Sequence, residues 1–205
     1  FTHGLSQESI RPFREFVRND AQTELFSFID EHAGKAPMFI WWAPLMPHTP
    51  HNPPENFLRM FDPQSIPIPD YISVENREEF IKREHLSLAM EAWTDDEIGK
   101  LRNKIKERGE DQNTLYVFII DNGWSNGLPA KGSVFEKGTS TPAFFTWPGQ
   151  IPEGLHRKDL MSSLDIYPTL LSYGGVEAPD SAEGMDLREH LEKQTPLRRK
   201  SLFGA

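Results

Sequence analysis

The 205 residues carry a formal charge of −9 and include no cysteine. The negative field repels nucleic acid and anionic membrane unless a local basic patch compensates, and a chain without cysteine has neither disulfides nor thiolate zinc sites, whatever its compartment. The apolar content of 37% suits a packed core, while the strongest apolar run, Met38 to Met46, is too short and too interrupted by Pro44 to span a bilayer.

The first residue is Phe1, and no charged-then-apolar leader follows, so the chain is expected to start inside a longer reading frame. In "DAQTELFSFIDEHA" (20–33), Ala21, Leu25, Phe28, Ile29 and His32 fall at helical spacing, with Gly34 suited to stop the helix. "APMFIWWAP" is too continuously apolar for a half-exposed strand and predicts one buried on both faces. It breaks at "PLMPHTPHNPP", where prolines lock φ and remove amide donors, giving a rigid loop. Residues 62–73 form a second proline-rich irregular stretch.

From Asn76 to Arg108, the residues Phe80, Ile81, Leu88, Ala89, Trp93, Ile98, Leu101 and Ile105 mark one apolar helical face, predicting a long helix that ends at Gly109. Thr94 and Glu97 also fit a capping box able to restart a helix midway, but one long helix, bent at most, is the favoured reading. "NTLYVFII" reads as a buried strand and "TPAFFTW" as another. "SSLDIYPTLLSYGG" reads as a helix capped by Ser162 or Ser163, with Pro168 near its first turn and Gly174-Gly175 at its end. Alternating strands and helices predict an α/β sandwich with a mostly parallel central sheet and helices on both faces.

Ligands of open α/β sheets gather where loops leave the carboxyl ends of strands. Two such loops carry chemistry. Asp121 and Asn122 follow "TLYVFII" and offer hard oxygen donors for calcium or magnesium, although Asp121-Asn122-Gly123 read alone is also a turn sequence. His48, between Pro47 and Pro50, is an imidazole on a rigid loop that can donate a proton near neutral pH, or a plain surface histidine. Lys131, among small residues in "PAKGSVFEKGTSTPAFF", is an ammonium suited to a sulfate or phosphate oxygen, and Lys137 competes for that role. Walker, dinucleotide-binding, zincin and G-x-S-x-G patterns are absent.

Taken in order, "APMFIWWAPLMPHTPHNPPENF", "TLYVFIIDNG", "AKGSVFEKGTSTPAFFTWPGQIPEG" and "SSLDIYPTLLSYGGVEAPDSAEGMDL" resemble the C-terminal half of the sulfatase catalytic domain, in the alkaline-phosphatase-like superfamily. The resemblance implies that Asp121 and Asn122 coordinate a divalent cation, calcium in most sulfatases, with magnesium or manganese as alternatives. It implies that His48 and Lys131 contact the sulfate and the ester oxygen of a small-molecule or glycan sulfate ester. Where the family reads Glu-Gly-Gly-x-Arg-x-Pro, this chain has Glu136-Lys137-Gly138-Thr139-Ser140-Thr141-Pro142.

The family's Cys- or Ser-x-Pro-Ser-Arg segment, source of the formylglycine nucleophile, and its N-terminal Asp-Asp pair are not among these residues. Residues 1–205 are therefore expected to be a partial sulfatase catalytic domain, truncated at both ends and inactive alone, with uncovered apolar surface able to drive homo-oligomer formation. Two other functions fit the same residues: a phosphodiesterase or phosphonate monoester hydrolase of the superfamily, and a non-catalytic binding module. Trp124 and residues 62–73 are candidate substrate contacts.

Overall fold

The computed structural model describes residues 22–123 and 130–202, which fall into two compact units meeting in sequence between Asp111 and Gln112. Ala21 and Trp124 lie outside the described residues.

The first unit is helical. Helix α1 (Gln22–His32) buries Ile29 completely, and the short α2 (Glu55–Leu58) precedes α3 (Arg77–Glu107), which organises the unit. At 31 residues, α3 is about 46 Å long. It is not interrupted at Thr94. The Thr94 hydroxyl donates back to the Met90 carbonyl (2.8 Å), while Glu97 accepts from Trp93 Nε1 (3.1 Å) and Lys100 Nζ (2.8 Å). The expected capping box is spent on bonds inside one helix, because Met90, Trp93 and Glu97 are buried together and a break would scatter that face. The helix ends as expected at Gly109, whose φ of +77° favours glycine.

Helix α1 docks on α3 through Gln22 Nε2, which donates to the Glu97 carbonyl (3.4 Å), and through Asp30, which meets Lys104 (2.6 Å) and Arg108. Those two cations, Lys104 first, hold the Asp30 carboxyl below its ordinary value. Near the middle of α3, Met46 packs with Met90 and Trp93, and Phe57 stacks on Trp93 at 6.4 Å between ring centroids. His85 Nε2 bonds the Leu58 carbonyl (2.9 Å), joining α2 to α3.

Residues 37–44 correct the strand expected there. They run without a strand partner among the described residues, with Phe39 70% and Trp41 76% exposed. A continuous apolar run announces a strand covered on both faces, and among the described residues no neighbouring strand covers this one. Within residues 62–73, Asp62 caps a single 3₁₀ turn, Pro63–Ser65, by accepting from the Gln64 amide (2.9 Å).

The second unit holds β1 (Tyr116–Ile119), α4 (Glu136–Thr139), β2 (Ala143–Thr146), α5 (Ile166–Tyr173) and α6 (Arg188–Lys193). β1 and β2 pair antiparallel, Tyr116 opposite Thr146 and Ile119 opposite Ala143. The mostly parallel central sheet with helices on both faces is not formed by the described residues, and β1 is half-exposed rather than buried. Phe118 and Phe144 face each other across the ladder at 5.7 Å and stay partly open to solvent.

The "SSLDIYPTLLSYGG" helix forms largely as expected. Ser162 accepts from the Leu164 amide and Asp165 reaches back to the Ser162 amide (2.7 Å), a capping box that leads through a 3₁₀ turn into α5. Asp165 is fully buried and does more than cap: it also accepts from the Met185 amide (2.8 Å) and takes both guanidinium nitrogens of Arg199 (2.6 and 2.7 Å). Burial pushes its carboxyl up, but Arg199 and the two amides outweigh that and hold it below its ordinary value. Tyr173, at the end of α5, lies against Trp147 and under Arg188, and burial with nearby Glu192 pushes its hydroxyl up to about 12.

Among the described residues no helix is long and apolar enough to cross a membrane.

Candidate functional site

Strand β1 ends two residues before Asp121, so the carboxylate emerges at the carboxyl end of a strand. Asp121 is exposed, Asn122 half-buried and Gly123 buried. The Asp121 Oδ1 accepts from the Asn122 amide (2.9 Å), and Asn122 Nδ2 donates to the Gly123 carbonyl (3.0 Å). The amide nitrogen is thereby committed to the turn, and Asn122 Oδ1 remains as its acceptor. Turn and donor pair coexist in the same three residues.

Two glycines hold this turn against the lysine loop. The Gly123 amide donates to the Gly138 carbonyl (3.2 Å), and a methyl group at Gly123 would stand 1.8 Å from the Lys137 carbonyl oxygen. A methyl group at Gly138 would stand 2.3 Å from the Ala130 carbonyl oxygen and 2.5 Å from that of Ser133. Neither position has room for a side chain. Ser133, in turn, donates to the Ala130 carbonyl from its amide (2.9 Å) and hydroxyl (2.7 Å), closing the tight turn that contains Lys131. Short helix α4 sets the other edge, with the Gly138 and Thr139 amides bonded to the Phe135 carbonyl.

The second unit thus brings together the segments carrying Asp121, Asn122, Lys131 and Lys137. Both lysines are exposed and form no ion pair among the described residues. The sequence motifs flagged the charged residues here but missed the two glycine contacts, whose only local sign is a glycine after Asp-Asn and another after Glu-Lys.

His48 belongs to the first unit. Its amide donates to the Leu45 carbonyl (3.0 Å), and its Nδ1 donates to the Thr49 carbonyl (2.6 Å). A carbonyl can only accept, so the neutral imidazole carries its proton on Nδ1 and has Nε2 as its acceptor. The loop keeps cis bonds at Met46-Pro47 and Thr49-Pro50, and buried Met46 anchors it on α3.

The donor chemistry of Asp121 and Asn122 fits a hard divalent cation and supplies two of the about six to eight oxygens that calcium takes. Among the described residues no group of three or more histidine, aspartate or glutamate side chains gathers to hold a metal.

Solved structures place the chain in the alkaline-phosphatase-like class. It aligns with the crystal structure of Ps i-CgsB at 26% identity and a TM-score of 0.68, covering 88% of this chain and 39% of that one. It aligns with the phosphonate monoester hydrolase SpPMH from Silicibacter pomeroyi at 21% identity and a TM-score of 0.73, covering 91% of this chain and 44% of that one; here the likeness is of fold. The family model for Sulfatase matches residues 11–176, and the chain belongs to the sulfatase family. An arylsulfatase of Clostridium perfringens is 26% identical over 206 residues, covering 88% of this chain and 43% of the relative. The N-acetylgalactosamine-6-sulfatase of Mus musculus is 30% identical over 179 residues, covering 80% of this chain and 30% of the relative. The chain spans less than half the length of these relatives.

Proposed function

We propose that these residues form part of the metal and sulfate site of a sulfatase that hydrolyses sulfate monoesters, with a formylglycine nucleophile supplied from outside residues 1–205. The observation that carries the proposal is the Asp121-Asn122 pair at the end of β1, tied through Gly123 and Gly138 to the loop of Lys131, in a chain of the sulfatase family.

Asp121 and Asn122 would hold the divalent cation, with calcium, the usual ion of sulfatases, favoured over magnesium or manganese by membership of that family. The bound cation would supply positive charge to sulfate oxygens. Lys131 neutralises charge that builds on the sulfate and ester oxygens as the S–O bond breaks. His48, whose Nδ1 donates to the Thr49 carbonyl, would serve as proton donor to the departing alkoxide, the role that the family resemblance gives it. The substrate class is a sulfated small molecule or glycan. Support for a glycan comes from the mouse relative's name and from the structure of Ps i-CgsB in complex with k-i-k-neocarrahexaose.

The complete protein, assayed on the sulfate and phosphate monoesters of 4-nitrophenol, is expected to prefer the sulfate. Asp121→Ala should lower that turnover at least about a hundredfold while leaving the circular dichroism spectrum unchanged. A strong preference for phosphate would point to a phosphoester or phosphonate hydrolase of the same fold, and undiminished turnover in D121A would remove Asp121 from the site.

A further inference from the structure

We propose that Lys137 is a second anion-contacting residue of this site, distinct from Lys131, and that it sets affinity for the substrate's sulfate group. The inference rests on the function proposed above and assigns a residue that function does not need.

The argument starts from the backbone. Gly123 and Lys137 are in such close contact that the carbonyl of residue 137 occupies the space of a side chain on residue 123, and the Gly123 amide is bonded one residue further on, at Gly138. Residue 137 is therefore fixed beside the Asp121-Asn122 turn by main-chain geometry, whatever its side chain. Helix α4 holds it from the other side, through the Gly138 and Thr139 amides on the Phe135 carbonyl and the Ser140 amide on the Glu136 carbonyl (2.8 Å). The side chain that this rigid turn presents is an exposed ammonium. It forms no ion pair with Asp121, with Glu136 beside it in sequence, or with any other described carboxylate. Elsewhere in the chain, Lys100, Lys104 and Lys193 each sit on an acidic partner.

An ammonium carried on backbone that is held beside two hard oxygen donors has opposite effects on the two charges the site would hold. It repels a cation at Asp121 and attracts an anion bound next to that cation. A lysine that only supports the loop would move both affinities in the same direction, and a solvated surface lysine would move neither.

The test uses the complete protein and two probes, calcium and inorganic sulfate, each titrated by calorimetry at low ionic strength. Lys137→Ala is expected to weaken sulfate binding about threefold or more and to leave calcium binding unchanged or up to about threefold tighter, with Lys137→Arg restoring sulfate and the differences shrinking at about 0.5 M salt. Sulfate affinity in K137A within a factor of about 1.5 of wild type overturns the proposal, as does parallel weakening of calcium and sulfate. Lys131→Ala separates the two readings. If K131A abolishes sulfate binding while K137A does not change it, the site stands and the role of Lys137 falls. If the wild-type protein binds neither probe, the site and Lys137 fall together.

Discussion

The two loops with candidate chemistry are made rigid in different ways. The loop of His48 is stiffened by its own prolines and pinned by a side chain, with Met46 buried against Met90 and Trp93 of α3. The described part of the Asp121 loop buries no large side chain of that kind. It is held main chain to main chain, Gly123 on Lys137-Gly138 and Gly138 on Ala130 and Ser133, with the neighbouring side chains of Val134 and Phe135 left in solvent. The first loop is secured by burying something and the second by leaving room for nothing. Substitutions should therefore fail differently in each: loss of packing threatens stability in one, and gain of a methyl group threatens geometry in the other.

The largest effect is expected where the backbone contact is closest. Gly123→Ala should cost the complete enzyme at least about a hundredfold in turnover, because displacing the turn by an ångström or so misplaces both proposed cation donors. Its unfolding midpoint should change far less than its activity. Equal losses of stability and turnover would mean that the contact serves the fold as a whole, and the contrast between the loops would break.

A buried ion pair provides a third kind of anchor and the next largest effect. Arg199→Ala strips the fully buried Asp165 carboxylate of its bidentate partner and should destabilise the protein by about 2–3 kcal/mol in urea unfolding at pH 7, discounted for the partial exposure of Arg199. The sign with pH follows from the lowered carboxyl of Asp165. Its contribution is fully present above the ordinary aspartate value of about 4 and is lost as pH falls through the lower folded value. R199A should therefore lose less stability on acidification than wild type, and parallel pH profiles would contradict the pair.

Met46→Ala should cost about 2 kcal/mol by opening a cavity beside Trp93, read as a shift in the urea midpoint. The smallest effect sharpens the comparison: Val134→Ser, at a residue 89% exposed, should change stability by less than about 0.5 kcal/mol and leave turnover intact. A larger loss would show that side chains hold the Asp121 loop after all.

What could be read from the sequence divides along the same line. The helical face from Phe80 to Ile105 and the cap at Ser162 depend on neighbours a turn away, and the structure bears both out. The strand leading to Asp121 was legible too, in position if not in burial. The strand expected at 36–44 failed because a strand exists only with a partner and none lies among the described residues; the apolar pattern of Phe39 and Trp41 does not say where that partner would be. Thr94 and Glu97 satisfied a capping pattern, yet tertiary burial of Trp93 overrode it. The glycine contacts at the candidate site were invisible for a related reason. They join residues about five to fifteen positions apart through main-chain atoms that are the same in every residue.

Asp165 also bears on where this folding unit can be cut or exchanged. The family match ends at residue 176, yet two of the three groups that satisfy this carboxylate, the Met185 amide and the Arg199 guanidinium, come from beyond that boundary. A chimera spliced at 176 would keep the acid and inherit a foreign segment with no obligation to neutralise it. Recombination among relatives should accordingly succeed at junctions that carry positions 165, 185 and 199 as one inherited block.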